Sequence, residues 1–268
     1  MQLTVTGARK GRIGPGGKYS AALCRARRRT TLGFFLGLAV SWSAAPAQAQ
    51  DLVTNGSFEI TTSGNGQLGY NTTASGWTTN GYNFIFAPGT ADTTGATGQY
   101  GNLQLWGPGN GSDNGLTVSP DGGNFVAADS AFGVEPIQQT ITGLTVGADY
   151  TVGFWWADAQ QYTYNGDTTD QWQVSLGSQT QSTAVVDDVS HGFSGWTYQT
   201  FTYAATSTSE TLSFLAAGTP DGVPPFALLD GVTLYASAPE PSSCILVIGA
   251  LATAAGVRRR SKSGPARS

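Results

Sequence analysis

His191 is the only histidine in the 268-residue chain, and it stands in a His-Gly-Phe-Ser-Gly turn. Proton transfer and nucleophile activation draw mostly on histidine, and stabilisation of developing negative charge on lysine or arginine. Neither basic type occurs between Asp51 and Ala238, so no side chain of that span can clamp an oxyanion or a phosphate. No Gly-x-Ser-x-Gly elbow, His-Glu-x-x-His pair or phosphate loop is present. A Ser-His-Asp triad or a carboxylate pair for glycoside hydrolysis stays open, because both assemble from distant positions. The plainer role for His191 is that of a turn residue.

Aromatic and amide side chains offer binding chemistry instead. Trp155, Tyr162, Tyr164 and Asn165 form a candidate ligand face, with Gln160 and Gln161 beside them and Trp106 and Tyr82 in or near loops. Sugar rings stack on flat aromatic faces and hydrogen-bond to amides and carboxylates, and exposed aromatic patches mark binding surfaces. The same residues also fit an ordinary exposed loop, and Trp77, Trp156, Trp172 and Trp196 read as core.

The charge distribution narrows the partners. All 13 Lys and Arg lie before residue 30 or after residue 257, while 16 of the 17 acidic residues lie between Asp51 and Ala238. The central span thus carries a charge of about −16, which repels phosphate backbones and excludes nucleic acid as a partner. Cations and neutral glycans remain. The two cysteines, Cys24 and Cys244, both fall outside the span, so it folds without disulfides.

The two ends read as export and sorting signals. A basic stretch Arg25–Arg29, an apolar run from Leu32 to Ala45 and Ala47-Gln48-Ala49 make a secretory signal peptide with cleavage before Gln50. At the other end, Ala238-Pro239-Glu240-Pro241 precedes an apolar run from Cys244 to Val257 and then Arg258-Arg259-Arg260. Fourteen residues rise roughly 21 Å as a helix, less than a hydrocarbon core of about 30 Å, so the segment suits transient insertion into the inner membrane. The Arg cluster keeps its own end cytoplasmic and the central span outside. Pro-Glu-Pro, a short apolar helix and an Arg cluster in that order resemble the PEP-CTERM sorting signal. That resemblance implies a Gram-negative host, an exosortase as processing partner, and a place on the cell surface, in an exopolysaccharide matrix or in the medium after C-terminal processing.

Between these ends, strands must position whatever binds. Short β-rich runs alternate with Gly-rich turns at Asn124–Ala128, Gln138–Ile141, Tyr150–Trp156, Gln171–Leu176, Trp196–Tyr203, Glu210–Ala216 and Ala227–Tyr235. Tyr150, Val152, Phe154 and Trp156 share one face at period two, as do Trp172, Val174 and Leu176, and Leu212, Phe214 and Ala216. The expectation is an all-β, antiparallel jelly-roll sandwich over residues 51–237, between a leader (1–49) and a sorting tail with one short transmembrane helix (238–268).

The edges of the span carry a second resemblance. Asn55-Gly-Ser-Phe-Glu59 at its start and Phe226-Ala-Leu-Leu-Asp-Gly-Val-Thr-Leu234 at its close resemble the galactose-binding-like jelly rolls, which include many carbohydrate-binding modules. In those folds acidic groups of the first and last strands often hold a structural Ca²⁺, which assigns that role to Glu59 and Asp230. Hard carboxylate oxygens suit the ion, and no basic residue can pair with either group. Both also fit as strand-end residues that cap turns. Asn110, Asp113, Asn114, Asp187 and Asp188 could donate oxygens too, but without the regular loop spacing they read as turns. The resemblances together imply an exported, non-catalytic surface or matrix protein that binds glycan, with an extracellular polysaccharide hydrolase as the alternative.

Overall fold

The computed structural model describes residues 50–237. The cleavage residues Ala47 and Ala49, the Pro239-Glu240-Pro241 motif, the apolar run after it and Arg258–Arg260 lie outside the described residues. Within them there are strands, turns and no helix. In chain order the strands are β1 (Gly66–Gln67), β2 (Asn83–Phe86), β3 (Ala96–Gly98), β4 (Gly101–Leu103), β5 (Phe125–Asp129), β6 (Ile137–Thr142) and β7 (Asp149–Gln160). They continue with β8 (Thr168–Asp170), β9 (Trp172–Leu176), β10 (Gln179–Ser182), β11 (Val186–Asp188), β12 (Thr197–Ala204), β13 (Ser209–Ala216) and β14 (Pro225–Ala236).

Two antiparallel sheets make the sandwich, a six-stranded one in the order β1-β2-β5-β14-β7-β12 and a four-stranded one in the order β10-β9-β13-β6. Sequence neighbours are rarely sheet neighbours, as a jelly roll requires. The expected faces are the observed ones: Val152, Phe154 and Trp156 of β7 pack against Trp172, Val174, Leu212 and Phe214 across the inter-sheet core. All seven expected strands are present, each within a few residues of its expected bounds.

The six-stranded sheet is also covered over part of its outer face. Phe84, Phe86, Phe125, Ala127, Ala157, Phe226 and Leu228 point away from the inter-sheet core and pack under Ala91, Leu103 and Leu105 of the segment that carries β3 and β4. This explains runs such as Phe84-Ile85-Phe86 and Phe226-Ala-Leu-Leu229, apolar at every position because both faces are buried.

The two end motifs form one piece of structure. Asn55 has a positive φ of 54°, and its side chain accepts from the Ile60 amide at 2.9 Å and donates to the Ile60 and Ser75 carbonyls, both at 3.1 Å. The turn lays Gly56 against the last strand, where the Val232 amide donates to the Gly56 carbonyl at 3.0 Å. A Cβ at Gly56 would overlap the Val232 carbonyl oxygen, so only glycine fits. Phe58 then enters the core against Trp77, ring centroids 5.2 Å apart. Gly56→Ala should therefore cost about 3 kcal/mol, read as a lower urea midpoint. A midpoint equal to wild type would mean the turn does not depend on this approach.

One pair of sheet edges is closed by side chains. Gln179 and Gln181 of β10 donate to the Ala204 and Thr202 carbonyls of β12 at 2.5 and 2.7 Å, joining the edge of one sheet to the edge of the other.

Candidate functional site

Glu59 and Asp230 come together at the junction of the end motifs. The register of β14 against β7 shifts between Asp230 and Thr233, and Gly231 in the bulge has a φ of 57°. The Asp230 carboxylate is fully buried, and neither of its oxygens has a hydrogen-bond partner. Its pKa stands at about 8 in all, with burial the largest cause. The Asp121 and Glu59 charges contribute to the rise, and the Ser119 hydroxyl and the Gly231 amide, short of hydrogen-bond geometry, offset it in part. Glu59 is exposed, and its Oε1 accepts from the Asn124 amide at 2.5 Å where the Gly122-Gly123 turn wraps it. Asp121 and Ser119, from the same turn, are additions that sequence reasoning missed, because Ser-Pro-Asp-Gly-Gly reads only as a turn.

This arrangement fits a hard cation: a buried carboxylate without a donor, two more acids within electrostatic reach, and no cationic side chain to neutralise them. Among the described residues no three Asp, Glu, His or Cys side chains stand ready as a metal-ligand cluster. Further oxygens would have to come from Ser119, backbone carbonyls or solvent.

The aromatic residues expected to form one face are divided among three places. Trp155 lies on the outer face of the six-stranded sheet, where it meets Tyr198 at a tilt (ring centroids 5.1 Å apart) and approaches Gly231. β7 runs on to Gln160, which at about 3.3 Å per residue places its end roughly 17 Å beyond Trp155. Tyr162 and Asn165 belong to a second group. Trp106 is stacked by His191 (3.8 Å) and met edge-on by Tyr162 (4.6 Å), and its Nε1 donates to the Tyr164 carbonyl at 2.9 Å. Asn165 Oδ1 lies 2.7 Å from His191 Nε2. Two rings thus engage Trp106, and the His191 carbonyl accepts from Ser112 and Asn114. His191 is a turn residue with a φ of 64° that ties three loops together, and among the described residues its ring hydrogen-bonds to Asn165 alone.

Of the residues expected to bind, Tyr164, Gln161 and Tyr82 line a cleft of about 340 Å³. Its other walls are Tyr100 and Phe132, with Asn102 and Asp129 as further polar groups. Tyr82, Tyr100 and Phe132 form a triangle of rings 5.4–5.7 Å apart. Tyr100 is 68% exposed and Phe132 50%, an unusual outlay of aromatic surface beside a cleft. Asp129 closes β5 with its Oδ1 accepting from the Ala131 and Phe132 amides at 2.9 and 2.8 Å, which fixes the turn that presents Phe132. Burial pushes the Asp129 pKa up to about 6, against those two amides, which lower it. Aromatic rings inclined at 46–85° to one another, with amides and a carboxylate beside them, offer both ring faces and hydrogen-bonding groups to a neutral polyhydroxylated ring. Tyr100, Phe132 and Asp129 escaped sequence reading because they come from β3–β4 and from the turn after β5, far apart in the chain.

No family model matches the chain, and no curated protein matches it. Solved structures do. Among them are TmCBM61 in complex with beta-1,4-galactotriose (17% identity over 70% of this chain and 100% of that one, TM-score 0.35) and the CBM22-1 xylan-binding domain from Paenibacillus barcinonensis Xyn10C (12%, 74% and 100%, TM-score 0.37). A third is the K1 cleaved adhesin domain of Lys-gingipain from Porphyromonas gingivalis W83 (11%, 68% and 96%, TM-score 0.39). Each is a likeness of fold alone.

Proposed function

We propose that the chain is an exported, non-catalytic surface or matrix protein whose sandwich binds glycan in the cleft of Tyr82, Tyr100, Phe132 and Tyr164, with Ca²⁺ held at Glu59 and Asp230 as a structural ion. The observation that carries the reading is the pair of exposed rings, Tyr100 and Phe132, beside Asp129, Asn102 and Gln161. Affinity electrophoresis through gels containing neutral polysaccharides tests it, together with reducing-end assays on the same polymers. Retardation in at least one gel without release of reducing ends is the expected result. Unretarded migration throughout would remove the glycan reading.

Asp129 favours one second reading. A carboxyl raised to about 6 at the edge of a cleft suits a general acid, so a polysaccharide hydrolase is the alternative. Glycoside hydrolysis takes two carboxyl groups, and Asp129 is the one carboxylate among the cleft walls described. Turnover abolished by Asp129→Asn would establish that alternative.

The sorting reading concerns the ends of the chain. Pro239 and Pro241 lack amide donors and disfavour a helix at Glu240, a sequence that would suit an enzyme taking extended substrates at the outer face of the inner membrane. An exosortase acting there would release the sandwich from the tail that begins at Cys244. Replacing Pro239-Glu240-Pro241 by three alanines should leave a full-length precursor in the inner membrane of an exosortase-bearing host, seen by intact mass. A variant processed and localised like wild type would make the tail an ordinary anchor.

A further inference from the structure

A second group of acids is buried on the inter-sheet side of the six-stranded sheet, where Asp158 stands opposite Ala227, three residues before Asp230. Asp158 of β7 is fully buried, and neither of its carboxylate oxygens has a partner. The period of β8 turns Thr168 and Asp170 to the same side, and the β8–β11 register sets Asp188 opposite Thr168. Thr168 is 2% exposed with its hydroxyl unpartnered, and Asp188 Oδ2 has no partner either. Asp170 is fully buried but held, by the Ser130 hydroxyl at 2.7 Å and the Gln171 amide at 2.8 Å. Asp158 feels the charges of both Asp170 and Asp188, and burial drives Asp158 and Asp170 well above the usual carboxylate range.

Three carboxylates so placed cannot all stay ionised without a compensating charge, and no Lys or Arg exists in the span to supply one. Protonation would remove the charge, with Asp188 Oδ2 and the Thr168 hydroxyl as unpartnered acceptors for the added proton, but a carboxyl proton serves these oxygens only in pairs. A cation answers both deficits, since it takes lone pairs from the carboxylates and the hydroxyl together. A cleft of about 320 Å³ opens beside the group, with Thr168 and Asp188 in its wall and Asp167 and Asp187 at its rim. That acid-lined mouth concentrates cations from solution.

We propose that Asp158, Thr168 and Asp188, backed by Asp170, hold a hard divalent cation of the Ca²⁺ class, at a site separate from Glu59 and Asp230. With no ready-made cluster of three such acids among the described residues, the set is mixed, carboxylate with hydroxyl, completed by carbonyl or solvent oxygens.

Calorimetric titration of the chelator-stripped protein with CaCl₂ tests it, on wild type, Asp158→Asn and Asp230→Asn. Asp158→Asn should bind one equivalent fewer than wild type, whereas Asp230→Asn should keep the equivalent that depends on Asp158. Saturating Ca²⁺ at a hundredfold over Kd should raise the melting temperature of Asp230→Asn by roughly 5–10 °C. Unchanged Ca²⁺ equivalents in folded Asp158→Asn overturn the proposal. If its melting temperature in chelator also rises, the group shares protons instead. If Asp230→Asn binds no Ca²⁺, all bound ion belongs to the Glu59 site and the proposal fails while that site stands. Should the Asp158 variant not fold, Tb³⁺-soaked crystals of wild type decide: an anomalous peak between Asp158 and Thr168 supports the site, and its absence there overturns it.

Discussion

Stripped of divalent cations, the protein should be more stable at pH 5 than at pH 8 by several kcal/mol. Five buried carboxyls carry raised pKa values: Asp230 to about 8, Asp129 and Asp188 to about 6, and Asp158 and Asp170 in the same direction. Desolvation is the first cause in each, and the unfolded chain would release the same protons near pH 4. Between those limits the folded state binds more protons than the unfolded one, so stability falls as pH rises. The full contribution is present near pH 4, part of it is lost through pH 6, and the Asp230 share through pH 8. At about 1.4 kcal/mol per unit, Asp230 alone accounts for a change on the order of 5 kcal/mol. Urea unfolding with chelator at pH 5, 6.5 and 8 measures it, and Asp230→Asn should flatten the curve above pH 6. Stability that rises with pH in chelator would mean these carboxylates are ionised in the fold without help. Added Ca²⁺ should restore much of the loss at pH 8, because the ion replaces the proton.

Replacing Tyr100 and Phe132 by alanine should each weaken glycan binding about tenfold, and the double variant should migrate through a retarding gel as though no polymer were present. Loss of one stacked ring with its buried area is worth about 1.4 kcal/mol or more, a factor of ten in affinity. Both rings are half exposed or more, so their removal should leave stability within about 0.5 kcal/mol of wild type. Trp155→Ala is the control, since Trp155 lies with Tyr198 on the sheet face, away from the cleft. Equal loss from Trp155→Ala would move the binding site to that face.

The strands legible in the sequence are those with one buried face. Trp172-Gln-Val-Ser-Leu176 alternates because β9 covers one side of the core, and the period marks it without ambiguity. Asn83–Phe86 carries no such mark, because both its faces are buried and no alternation survives. Of the candidate sites, Glu59 and Asp230 could be read because each sits in a distinctive end motif. The cleft could not, because Tyr82, Tyr100, Asp129 and Tyr164 acquire a common purpose only once β2, β5 and the β3–β4 hairpin are in place. The run Trp155–Asn165 misled for a related reason: a single long strand carries its first residue far from the loop at its end.

The glutamines that lace β10 to β12 have a consequence for behaviour near the isoelectric point. Exposed strand edges invite pairing between molecules, and many proteins discourage it with lysine. This span has none, and its mutual repulsion fades as the carboxylates take up protons. Gln179 and Gln181 do not titrate, so the carbonyls of Thr202 and Ala204 stay occupied whatever the acidity. Acid should therefore gather folded molecules into an amorphous precipitate that redissolves on neutralisation, with no seed for fibrils along that edge.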